Sequence, residues 1–273
     1  MTPASTSTSR PVALVTGASS GIGEASARAL QAAGYRVFGT YRKPLTQWAG
    51  GIEYLACDVT RDESVSAAVQ QVLQATGRID LLVNNAGIGL IAGAEESSVE
   101  QARALFEVNL FGAIRMAQAV LPAMRRQRSG RIVNLSSILG VIPSPYSALY
   151  SATKHAMEGY FESLDHEVRG FGIRALLVEP AYTRTSFEGN VLHADRKLDA
   201  YQAARTQAEA LVRTVMQQAD TPETVAQVVL RAAQDPKPRL RYTAGSVARR
   251  VSLLRRFVPA AAFDKSLRQQ LGL

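Results

Sequence analysis

The segment SPYSALYSATKHAM, residues 144–157, sets Tyr146, Tyr150 and Lys154 four residues apart. Four residues is a little over one helical turn, so in a helix the three would stack along one face. A phenol beside an ammonium can give up a proton and take one back. Two tyrosines compete for that role, and the spacing alone leaves both open. A second chemical signal is TGASSGIG, residues 16–23. There Gly17 permits a tight turn, Gly21 lets backbone approach a phosphate, and Gly23 lets a following helix pack on a sheet.

Those groups need elements to hold them. Short apolar runs alternate with helical periodicity: VALVTG, YRVFGTYR, IEYLACDV, IDLLVNNAG, GRIVNLSS, IRALLVEP and LRYTAG read as strands. Helices are expected over 22–34, 62–77, 98–127 (as one or two), 148–169, 202–219 and 223–234. Gly34 and Gly77 supply C-terminal stops. Continuously apolar strands separated by helices predict an α/β fold, a doubly wound parallel sheet of about seven strands covered on both faces. Ligands then bind beyond the carboxyl ends of the strands, where the glycine turn and the tyrosine segment would meet.

The chain has 273 residues and a formal net charge of +8. Residues 1–10 read as a frayed lead-in and 11–273 as a single dinucleotide-binding domain, without internal repeat or linker. No apolar run is expected to span a bilayer. The single cysteine, Cys57, excludes an internal disulfide and a multi-cysteine metal site, and sits in an apolar strand. A cytoplasmic location fits this usage. From position 231 onward ten Lys/Arg face two Asp/Glu, so the tail carries the whole excess charge. No zinc or recognition-helix pattern accompanies those charges, which argues against nucleic acid. His155, His166 and His193 fit no nucleophile or metal pattern and are expected to be structural or exposed.

The spacing Gly-x-x-x-Gly-x-Gly, followed by NNAG at 84–87, Asn109, Ser136–Ser137 and Tyr150-x-x-x-Lys154, resembles the short-chain dehydrogenase/reductase family over about residues 11–185. The resemblance implies hydride transfer between NAD(P) and a carbonyl or alcohol on a doubly wound sheet. It selects Tyr150, four residues before the lysine, as proton donor and acceptor. It also selects Ser137, thirteen residues before that tyrosine, as the serine that holds the substrate oxygen. Strand alternation agrees that Ser136 and Ser137 point apart. Lys154 is implied to grip the nicotinamide ribose, and Asn109 to hold a water that relays protons to it.

An isolated phenol titrates near pH 10. Lowering that by ~3 units takes about 4 kcal/mol, which Lys154 and an oxidised nicotinamide are expected to supply. Cofactor contacts are implied for Gly17, Ser19, Ser20, Gly21, Ile22, Gly23, Arg42, Asp58, Val59, Asn85, Ala86, Gly87, Tyr150, Lys154, Pro180, Thr183 and Thr185. Substrate contacts are implied for Ser137, Leu139, Tyr146, Tyr182 and Phe187, with Ile138, Val141 and Ile142 as further apolar lining. Ala181 departs from the family's usual Pro-Gly after the sixth strand. Residues 186–220 are expected to form a substrate lid. No metal is expected.

The second strand carries Tyr41 where NAD-preferring members place an aspartate, and Arg42 and Lys43 follow. A guanidinium there suits a 2′-phosphate, so NADP(H) is the expected cofactor. The tail, 246–273, is unlike the Asp-Gly-Gly ending of the tetrameric carrier-protein reductases and resembles the helical ending of steroid- and retinol-dehydrogenase-like members. Its RRVSLLRRF pairs basic and apolar residues at helical spacing, as a membrane-surface helix or a docked helix with a solvated face would.

An apolar ketone, aldehyde or secondary alcohol is the expected substrate. The alternatives are a 3-oxoacyl thioester on an acidic carrier met by the basic tail, and a non-catalytic dinucleotide-binding regulator. A homodimer through the alanine-containing helices at 102–126 and 148–169 is expected.

Overall fold

The structure is a computed structural model that describes residues 10–42, 50–185 and 191–271. Seven parallel strands form the central sheet: β1 (Val12–Val15), β2 (Arg36–Tyr41), β3 (Glu53–Ala56), β4 (Leu81–Asn84), β6 (Gly130–Leu135), β7 (Ile173–Pro180) and β9 (Arg241–Ala244). They run in the order β3-β2-β1-β4-β6-β7-β9. Two further short strands, β5 (Gly89–Ile91) and β8 (Val191–His193), pair beside it. The sheet winds outward in both directions from β1 and β4, so a crevice opens above their carboxyl ends.

Apolar residues alternate between two cores. In β1, Val12 and Leu14 face one side, where they join α2 (Asp62–Thr76), α4 (Gly112–Gln127) and α5 (Ala148–Val168) through Val69, Met116 and Phe161. Ala13 and Val15 face the other, packing with α1 (Gly21–Ala32) and α7 (Pro222–Gln234) through Leu30 and Val229. The remaining helices are α3 (Val99–Phe106), α6 (Gln202–Met216), α8 (Ser246–Phe257) and α9 (Ala260–Leu271).

The run 98–127, expected as one or two helices, is two, joined by a π-turn at Glu107–Phe111. By length and composition this helical stretch, Val99–Gln127, is apolar enough to cross a bilayer, with a mean hydropathy of 1.3 in its best window. Its buried residues, Met116, Ala117 and Val120 among them, pack into the core, so it is apolar because it lines the sheet. The small β5–β8 sheet was not expected, because each strand has only three residues.

Candidate active site

The glycine turn leaves β1 and enters α1. Gly17 and Gly21 have φ of +62° and +57°, left-handed values that L-residues adopt at a cost, and a Cβ on Gly23 would lie 2.2 Å from the Gly17 carbonyl oxygen. The turn is tied from below. Thr16 Oγ1 accepts from the amides of Asn85 and Ala86, while Asn85 Nδ2 donates to the carbonyls of Thr16 and Gly17. The Asn85 side chain therefore holds the turn itself. Ser20, at the start of α1, makes no side-chain cap, which leaves the first amides of the helix facing the crevice.

A cavity of about 460 Å³ extends from this turn across the crevice. Gly17, Ser19, Ser20, Gly21, Ile22, Arg42, Asp58, Val59, Asn85, Ala86, Gly87, Pro180, Thr183 and Thr185 line it. Gly23 lies behind the turn and does not. The size, the uncapped helix start and the glycine cradle fit a dinucleotide.

At the other end stand Ser137, Tyr150 and Lys154. Ser137 follows β6 and accepts from the Leu139 amide, and its hydroxyl hydrogen-bonds the Tyr150 phenol. Lys154 Nζ donates to the Leu135 carbonyl at 2.7 Å and lies 5.6 Å from the centre of the Tyr150 ring. Ser136, by contrast, turns toward Glu158, one turn beyond Lys154 on α5.

Asn109 sits in the π-turn and is fully buried. Its Oδ1 accepts from the Ile88 amide, and its Nδ2 donates to the Ile88 carbonyl and to Thr153 Oγ1. The widened turn is what allows a polar side chain to point inward between two helices. Asn109 thereby fastens the loop after β4 to α5, one residue from Lys154.

Burial pushes the Tyr150 phenol up to about 12, with the Ser137 hydrogen bond opposing. The depression expected from Lys154 together with an oxidised nicotinamide belongs to the cofactor-bound site; for the protein alone desolvation is the largest effect on the phenol. Burial also pulls Lys154 down to about 8, against the charge of Glu158. Behind it, Glu158 Oε2 and Glu162 Oε2 both accept from Arg241 of β9, at 2.8 and 2.7 Å. Burial, and next the charge of Glu158, push Glu179 up to about 7, opposed by Arg241. This carboxylate group was missed, since nothing in the sequence links residues so far apart.

Tyr146 does not stack over Tyr150. The helix begins at Ala148, and Tyr146 precedes it with φ +61°, a costly left-handed conformation for an aromatic residue. It still lines the cavity, and its carbonyl accepts from the Ala92 amide. Leu139, Tyr182 and Ile138 line the cavity as expected, whereas Val141 and Ile142 do not, and Phe187 and Lys43 lie outside the described residues. Leu211, Val212 and Met216 of α6, inside the segment 186–220 expected as a lid, form the cavity's roof. The sequence did not single out these three within that segment.

The roof is clamped to the body. Glu96 is buried and accepts from the Leu198 and Gly93 amides and from Arg205 of α6. Burial raises its carboxyl, but those hydrogen bonds outweigh it and hold the group below its usual range. Among the described residues no cluster of His, Cys, Asp and Glu could hold a metal ion.

The short chain dehydrogenase family model matches residues 11–197. The chain belongs to that family. It is accordingly an oxidoreductase of CH–OH and C=O groups in a family that binds NAD(P). It is 44% identical over 179 residues to a 3-ketodihydrosphingosine reductase of Bacteroides thetaiotaomicron, covering 66% of each chain. It is 36% identical over 254 residues to human 17-beta-hydroxysteroid dehydrogenase type 1, covering 85% of this chain and 77% of that one. A crystal structure of a short-chain dehydrogenase from Streptomyces avermitilis superposes with a TM-score of 0.82 at 35% identity, over 97% and 96% of the two chains.

Proposed function

We propose that this dehydrogenase is an NADP(H)-dependent reductase of apolar ketones or aldehydes, with Tyr150 as general acid. The observation that carries the reading is the hydrogen-bonded pair of Ser137 and Tyr150 at the inner end of a cavity roofed by Leu211, Val212 and Met216. A nicotinamide dinucleotide held by the glycine turn and Lys154 would supply the hydride that the carbonyl carbon accepts. Ser137 holds the carbonyl oxygen by a hydrogen bond, and Tyr150 delivers the proton that the developing alkoxide needs. A phenol raised to about 12 holds its proton at neutral pH, the form in which it can act as the acid. Lys154, braced on Leu135, keeps a cation beside the ring.

NADP(H) is favoured because Arg42 faces the cavity at the end of β2 and no carboxylate stands at Tyr41. Asp58 is engaged by Thr60, whose amide and hydroxyl donate to its Oδ1 at 3.0 and 2.7 Å, and both Arg42 and Arg61 act on its charge. The two relatives named for a ketosphingoid and a hydroxysteroid support an apolar substrate. A cytoplasmic homodimer joined through α4 and α5 completes the reading. NADPH oxidation with steroid ketones, long-chain 3-ketones, aldehydes and 3-oxoacyl thioesters tests it; turnover of the thioesters alone would overturn the substrate class.

A further inference from the structure

Helix α8 has two faces with different fates. Ala248, fully buried, fixes one face against the body next to β9. The other carries Val247, Leu254 and Phe257 at spacings of seven and three, with Leu253 beside them. These side chains are 50, 42, 72 and 49% exposed. Arg249, Arg250 and Arg256 are exposed on the same helix. After it α9 continues, so that residues 246–271 contain six Lys/Arg and one Asp. Each helix has 12 residues and is about 18 Å long, too short to cross a bilayer and long enough to lie along one.

We propose that the outer face of α8 is a docking surface for an anionic lipid bilayer. Guanidinium groups meet lipid phosphates while Val247, Leu253, Leu254 and Phe257 enter the acyl boundary. The charge decides the partner. A second copy of this chain would bring an equally basic face against this one, whereas an anionic leaflet complements it. The large exposed Phe and Leu side chains between the arginines suit an interface with an apolar interior. The binding does not depend on which substrate the cavity takes.

The test is cosedimentation of the full chain with vesicles of phosphatidylcholine containing 30% phosphatidylglycerol, beside pure phosphatidylcholine vesicles. At least tenfold stronger binding to the anionic vesicles is expected, reversed by about 0.5 M salt. Phe257→Asp and the double variant Arg249→Glu/Arg256→Glu should each weaken it about tenfold and keep wild-type Tm. The control Arg28→Glu, on α1, should bind like wild type. Phe257→Trp should shift its emission to the blue on anionic vesicles only. Equal binding to both vesicle types, equal loss in the α1 control, or variants that turn a dimer into a monomer without altering vesicle binding would each overturn the proposal. Retention by an acidic carrier protein with none by anionic vesicles would overturn it too.

Discussion

Lys154 Nζ donates to the Leu135 carbonyl at 2.7 Å, so the buried ammonium is bonded to the end of β6 rather than to the phenol it serves. The charge is kept where it is expensive. Burial lowers the group from 10.5 to about 8. The folded state therefore carries a penalty that is complete below about pH 8, shrinks between 8 and 10.5, and vanishes above.

Lys154→Met should abolish turnover yet unfold at a higher Tm than wild type at pH 6.5. The advantage should narrow or reverse at pH 10, measured by calorimetry across that range. The shift corresponds to about 3 kcal/mol at most, and loss of the Leu135 hydrogen bond offsets about 1–2 of it. A Tm difference that does not change with pH would show that the ammonium is not desolvated.

The two tyrosines should separate cleanly. Tyr150→Phe removes the proton donor and should cost at least a thousandfold in kcat while dinucleotide affinity, read by fluorescence, stays within a few-fold. Tyr146→Phe keeps the ring and should leave substantial activity. Tyr146→Gly should raise Tm by relieving the left-handed strain if that strain exceeds the packing lost, and Tyr146→Ala should not. If Tyr146→Phe is the inactive variant, the assignment of the two is reversed.

Arg42→Ala should weaken NADPH by ten- to a hundredfold and NADH by no more than a few-fold, since a charge-assisted hydrogen bond contributes roughly 1.5–3 kcal/mol. The ratio of kcat/KM for the two cofactors, in wild type and variant, decides it. Wild-type preference for NADH would remove the basis for this assignment.

Glu96 joins the segment after β8 to the body through Leu198 and Arg205. Glu96→Gln leaves the Arg205 guanidinium without its carboxylate and should speed amide exchange around residues 191–205, raising KM several-fold with kcat little changed. Unaltered exchange would mean that the roof is held elsewhere.

Light scattering at micromolar concentration should give about twice the 29.4 kDa chain mass. A solution of monomers alone would exclude the interface through α4 and α5.

The fold and the Tyr150–Lys154 pair were legible because each rests on local pattern. Strand alternation, the glycine turn and a four-residue spacing all act within a few residues. The features that escaped depend on tertiary partners. Arg241 reaches Glu158 across 83 positions, and the helix of Leu211 and Val212 becomes a roof only once Glu96 receives Arg205. Tyr146 lines the cavity as expected, but its left-handed backbone was not legible. Pro143 and Pro145 precede it, yet the chain turns through an aromatic rather than a glycine, against the propensity that sequence reading relies on. The phenol's elevation escaped as well, because the spacing to Lys154 reports proximity and says nothing of desolvation.

The π-turn at Glu107–Phe111 has a consequence for how this chain can vary in length. It separates two helices that answer to different neighbours. Leu105 of α3 packs with Leu90 and Ala92 beside the small sheet, whereas Met116 and Val120 of α4 belong to the main core. A wide turn takes up one more residue than an α-helical turn over nearly the same rotation, so removing one residue inside it would restore a regular pitch and leave both helices close to their own clusters. What would go is the inward placement of Asn109 and its bonds to Ile88 and Thr153. The extra residue is thus one that the packing tolerates and the site needs.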